Sequence, residues 1–214
     1  MKKKILISAG VIVAIAGITI GVLALVKYLQ PAKVTTDTAQ TSKKLVLDHS
    51  KDYGACTLLN ATKIQTALGD TAAQLQQPVD AGITSDRYFG DGIKDVTSDT
   101  QTCVYAFVPG TSTDETLNGT NGLTIKLTKY TNTDGPKAVI AQMKQNPTAT
   151  VIDSLGDAAF YTHDTAAAGP DATASFTLVV FKNNASTSYA IIQPATASTF
   201  TADSAKTALL SLAK

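Results

Sequence analysis

The 214-residue sequence has no tryptophan, one arginine, two histidines and two cysteines. Each shortage excludes a class of chemistry. Two histidines, His49 and His163, set far apart and without a helical His pair, do not supply the ligand spacing of a zinc site. After Val26 there are 15 basic residues against 17 acidic ones, so the bulk of the chain lacks the basic footprint that nucleic acid requires. The chain also lacks a glycine-rich phosphate cradle and a nucleophile-elbow sequence around any serine. The reading is therefore of a non-enzyme with no metal and no cofactor.

Against these shortages stands one long apolar run. Ile5 to Val26, ILISAGVIVAIAGITIGVLALV, holds no charge over 22 residues and follows Lys2, Lys3 and Lys4. About 20 apolar residues in a helix span a hydrocarbon core. The run is longer than the apolar core of a secretory signal, and no small-x-small cleavage site follows it. No cysteine follows it to accept a lipid, and no early glutamate marks it as a pilin. It reads as an uncleaved signal anchor in the bilayer, and the flanking lysines favour a cytoplasmic N-terminus. The expected division is residues 1–4 as a cytoplasmic stub, 5–26 as a transmembrane helix, 27–50 as a flexible tether and 51–214 as one extracytoplasmic domain at the cell membrane. Gly17 and Gly21 form a small-xxx-small pair through which two such helices would meet as a weak homodimer.

An oxidising exterior bears on the two thiols. Cys56 and Cys103 are expected to be joined, because free thiols persist mainly in reducing cytosol. The alternative is a catalytic cysteine. Thr100-Gln-Thr-Cys103 resembles a sortase motif, but a sortase needs an upstream histidine and a downstream arginine. No arginine follows Cys103, and the one upstream histidine is His49 in the tether.

Within 51–214 the patterning alternates between helix and strand signals. Asn60 or Thr57 can cap a helix over about 60–68, closed by Gly69. Gln74 to Val79 reads as a strand. Residues 80–100, rich in Gly, Asp, Ser and Thr, read as a long loop. That loop gathers Arg87, Tyr88 and Phe89, the candidate binding residues. Gln101–Val108 and Leu123–Tyr130 alternate as strands: Cys103, Tyr105 and Phe107 share one face of the first and Val104, Ala106 and Val108 the other, while Leu123, Ile125 and Leu127 of the second point inward. A helix beginning near Pro136 is expected to bury Val139, Ile140 and Met143. Thr173–Phe181 and Ser188–Gln193 read as central strands, and Thr201–Leu212 as a closing amphipathic helix that Thr201 or Ser198 can cap. The fold class is α+β: a largely antiparallel sheet with about three packed helices, preceded by the transmembrane helix.

Three short patterns, in this order, resemble one family. Cys-Thr-Leu-Leu-Asn-Ala-Thr-Lys-Ile-Gln-Thr-Ala-Leu-Gly (56–69) is similar to the opening of an actinobacterial exported family, domain of unknown function 3558. Cys103-Val-Tyr105 resembles that family's second cysteine with an aromatic two positions later, although tryptophan is usual there. Leu155-Gly-Asp-Ala-Ala-Phe-Tyr161 resembles its Leu-Gly-Asp segment. The resemblance covers about 55–214. It implies a PsbP-like or LpqN-like α+β fold with a Cys56–Cys103 bridge, and it carries over no catalytic residue. The functional expectation is a membrane-anchored binding or scaffold domain of the bacterial cell envelope, whose partner is an envelope ligand or protein of unknown identity. The alternatives are an envelope hydrolase built on His163 with Asp157 and Ser154, or an assembly partner of an envelope complex.

Overall fold

Strands whose partners lie next in sequence, joined by turns, build an antiparallel sheet without crossovers. The chain does this twice. In the computed structural model, which describes residues 47, 50–90, 93–110, 114–117, 121–165 and 171–214, β1 (Val79–Gly90), β2 (Ile93–Ala106) and β3 (Gly122–Tyr130) form one meander. A second consists of β4 (Thr150–Val151), β5 (Ala158–Thr165), β6 (Thr173–Lys182) and β7 (Ala185–Pro194). The two join where β3 pairs with β7, giving a seven-stranded antiparallel sheet in the order β1-β2-β3-β7-β6-β5-β4. The α+β class and antiparallel sheet are as the patterning predicts, and β7 and β6 lie centrally.

Side chains of paired residues point to the same face, and faces alternate along a strand. The register therefore defines two surfaces. One row runs Cys103–Ile125–Tyr189–Leu178–Tyr161 across five strands, and every member is buried. The next row toward the end of β2 holds Tyr105, Leu123, Ile191 and Phe176, also buried. This face is covered by α1 (Ala61–Leu68) and α3 (Ala202–Ala213), which also pack on each other. Ile64 and Leu68 of α1 and Ala205, Ala208, Leu209 and Leu212 of α3 complete its core. Both helices start where the sequence places their caps. Asn60 Oδ1 accepts from Lys63 N at 2.8 Å. Thr201 and Ser204 form a reciprocal capping box.

The opposite face reads Thr102–Lys126–Ser188 and Thr100–Thr128–Ser186 across its centre. Most of these hydroxyls are half-exposed, with Ser186 buried and Lys126 exposed. At one end α2 (Asp134–Gln145) docks on it by a bare glycine. A Cβ on Gly135 would lie 2.6 Å from Tyr130 Cδ1 and 2.7 Å from Val96 Cγ1.

Four expectations need correction. Residues 80–100 are not a loop, because β1 and β2 pair through them with Thr84 opposite Thr100 and Asp86 opposite Ser98. Arg87, Tyr88 and Phe89 are accordingly strand residues, with Arg87 opposite Thr97 and Tyr88 opposite Val96. Gln74–Val79 is not a strand over its length. Gly69–Gln74 is a 3-10 turn, followed by a single bridge from Leu75 to Phe107. Val139, Ile140 and Met143 are only half-buried, because α2 docks through Gly135 and Pro136 at its first turn.

Among the described residues no helix is long and apolar enough to cross a membrane. The expected spanning segment, residues 5–26, lies outside the described residues, as do Gly17, Gly21 and most of the tether.

Candidate functional site

The segment that follows the expected tether is fixed to the covered face by a buried amide. Gln101 on β2 is 1% exposed. Its Oε1 accepts from Tyr53 N at 2.8 Å and Ala55 N at 3.2 Å. Its Nε2 donates to Asp52 Oδ1 at 2.8 Å and Asp80 Oδ2 at 2.7 Å. That donation, with one from Gly54 N, lowers the Asp52 pKa. Two residues along the strand, the buried Asp99 accepts from Tyr53 Oη at 2.9 Å and Ser85 Oγ at 2.7 Å. Lys129, opposite Asp99 in register, places Nζ 4.7 Å from the Tyr53 ring centroid, in cation–π range.

Cys56 follows directly and is bonded to Cys103, with Cα atoms 5.1 Å apart, as the sequence and the resemblance both predict. A bridge closing a loop of this length stabilises by about 4 kcal/mol at most on the chain-entropy model. Gln101 and Cys103 thus hold the start of the domain on one strand.

Beside this bond opens a cleft of about 280 Å³ between α1, the 3-10 turn and β2. Its apolar lining is Leu59, Ala61, Ile64, Ala72, Leu75, Pro78 and the disulfide at Cys56, and its polar lining is Gln65, Gln76, Gln77 and Tyr105. Tyr105 Oη donates to Cys56 O at 3.3 Å. Burial raises the Tyr105 pKa, so the phenol stays protonated at neutral pH. The strap from Gln74 to Gln77 closes one side. Gln76 N donates to Ala106 O and Val108 N donates to Gln74 O, both at 2.7 Å. A second cavity, about 210 Å³, lies at the turn between β4 and β5, where Asp157 Oδ2 accepts from Asn183 N at 2.6 Å.

The residues singled out from sequence fare differently. The two cysteines meet, and Cys56 forms part of the cleft wall. Arg87, Tyr88 and Phe89 lie at the opposite end of β1, about 30 Å along the strand from Pro78 at ~3.3 Å per residue. The hydrolase grouping is not assembled. His163 stacks on Phe176 with ring centroids 5.9 Å apart. Asp157 precedes the other end of β5, about 20 Å away along the strand. Among the described residues no group of three or more His, Cys, Asp or Glu could hold a metal ion. The sequence reading missed Gln101 and the glutamines of the cleft. Its one available signal was the run Gln74-Leu-Gln-Gln-Pro78, dense in carboxamides next to a proline.

No family model, curated protein or solved structure matches this chain.

Proposed function

We propose that this chain is a binding domain of the cell envelope, held outside the membrane by its N-terminal segment, with the cleft beside the disulfide as its ligand site. The carrying observation is the Cys56–Cys103 bond. A bonded pair belongs with an oxidising compartment, and the uncharged run Ile5–Val26 behind three lysines supplies the route there. The cleft supports the binding part of the reading, since ligand sites are concave and mostly apolar with a few placed polar groups.

Labelling of intact cells with a membrane-impermeant amine reagent tests the location. Lysines of the domain, such as the exposed Lys137 and Lys182, are expected to react before lysis, with the chain in the membrane fraction. A chain that is soluble and labelled only after lysis would overturn the proposal.

A further inference from the structure

We infer that the cleft receives an uncharged extended peptide, one aliphatic side chain seated against Leu59, Ile64 and Leu75, its backbone bonded by the carboxamides of Gln76 and Gln77. This rests on the binding reading above and specifies its ligand.

Charge is the first argument. No residue lining the cleft carries a charge, since Cys56 is disulfide-bonded and the polar remainder is glutamine and tyrosine. A charged ligand would lose hydration there without meeting a counterion, at a cost of several kcal/mol. A neutral group loses far less.

Size and shape are the second. At roughly 30 Å³ per water, about 280 Å³ is the room of around nine waters. That is room for one leucine-sized residue, with its flanking peptide units left on the strap outside. An acyl chain calls for an enclosed, wholly apolar tunnel, whereas this cleft is open to solvent and edged by amides.

The third argument is hydrogen-bond chemistry. A glutamine side chain offers an N–H donor and a carbonyl acceptor, so it bonds both halves of a peptide unit. Gln76 and Gln77 are both exposed. The strap that carries them is extended and bonded to β2 through Gln76 N and Gln74 O. Alternation along an extended chain turns the next pair, Leu75 C=O and Gln77 N–H, away from β2. A peptide laid along the strap would add main-chain bonds there, as in strand addition to a free edge.

Full-length chain in lipid nanodiscs, with labelled Ile and Leu methyl groups, reads the outcome by NMR. The probes are acetyl-Ala-Leu-Ala-amide, the same peptide with Asp or Lys for Leu, and octanamide. The neutral peptide is expected to shift the Ile64 methyl saturably, and the charged peptides to bind at least about tenfold more weakly. Gln77→Ala, at an exposed position, should weaken the neutral peptide about two- to tenfold, the range for one lost hydrogen bond. Ala61→Phe, which fills the mouth, should abolish the shift. If that variant fails to fold, Gln77→Ala decides the matter. Absence of any Ile64 shift, equal binding of the charged peptides, or no effect of Gln77→Ala would each overturn the assignment. Tighter binding of octanamide would overturn it as well and give the cleft to an acyl chain. A failure here with the chain still surface-labelled removes the peptide and leaves the exported binding domain standing.

Discussion

The two faces of the sheet are built from the same strands but from different chemistry. On β3, Leu123 and Ile125 face α1 and α3 and are buried, whereas Thr124 and Thr128 on the other side are half-exposed and Lys126 is exposed. The covered face also gathers the ties that hold irregular chain against the sheet. Gln101 and the disulfide secure 52–56. Gln193, itself 1% exposed, secures 197–200 by donating to Phe200 O at 2.9 Å and accepting from Phe200 N at 3.3 Å. Asp114, from the connection between β2 and β3, accepts from Ser198 N at 2.9 Å and Thr199 Oγ1 at 3.0 Å. The opposite face instead has hydroxyls and one lysine at its centre, with Val96 and Tyr130 buried at the first turn of α2 and Phe160 and Phe181 buried edge-to-face on its other half. The difference teaches that the candidate site shares a side with the larger core, and that the hydroxyl-lined centre of the other face contributes little to either.

Neighbouring positions on one strand give the sharpest test. Ile125→Ala removes a side chain with 0% exposure from the centre of the covered face. It should cost about 2–5 kcal/mol in denaturant unfolding, as transfer and cavity losses add. Gln101→Leu keeps the volume but leaves Tyr53 N, Ala55 N and two carboxylates without their partner. About 1–3 kcal/mol is expected, with protease cutting near Tyr53 rising in parallel. A stable Gln101→Leu domain with Tyr53 still protected would mean that the disulfide alone fixes the segment.

Acid gives a smaller effect on the same side. The Thr116 hydroxyl, followed by Ser198 N and Thr199, holds the Asp114 pKa at about 2, against 3.8 for an ordinary aspartate, with slight burial opposing. A carboxylate depressed on folding stabilises above its unfolded pKa, and that stability is lost as pH falls through the folded value. The melting temperature should therefore fall between pH 3.8 and about 2, and fall less in Asp114→Asn. Because Asp114 is only half-buried, solvent screening keeps the contribution small. Smallest of all, Thr124→Val on the open face should change stability by no more than about 0.5 kcal/mol. A loss as large as that of Ile125→Ala would show that the hydroxyl face is covered and would end the contrast between the two faces.

The same contrast explains what the sequence made legible. α1, α3 and β3 were readable because Asn60, Thr201 and the Leu123-x-Ile125-x-Leu127 alternation act locally, through caps and period. The β1–β2 hairpin was not, since Asp80, Asp86, Asp95 and Asp99 carry no apolar alternation. An outermost strand such as β1 needs none to pair, and Asp99 and Gln101 are buried as hydrogen-bonded polar groups. α2 misled because its apolar stripe is real, yet Gly135 against Tyr130 sets the docking. The cleft was invisible because Tyr105, Gln76 and Ile64 converge through the Leu75–Phe107 bridge and the disulfide, both of which join positions far apart in sequence.

A sealed thiol pair in a membrane-lodged chain is what the proposed function requires. Full-length protein taken from unreduced cells into iodoacetamide and read by mass spectrometry tests this directly. The predicted result is a membrane-fraction chain with Cys56 and Cys103 both unmodified until a reductant is added. A soluble chain with both cysteines alkylated at once would contradict it.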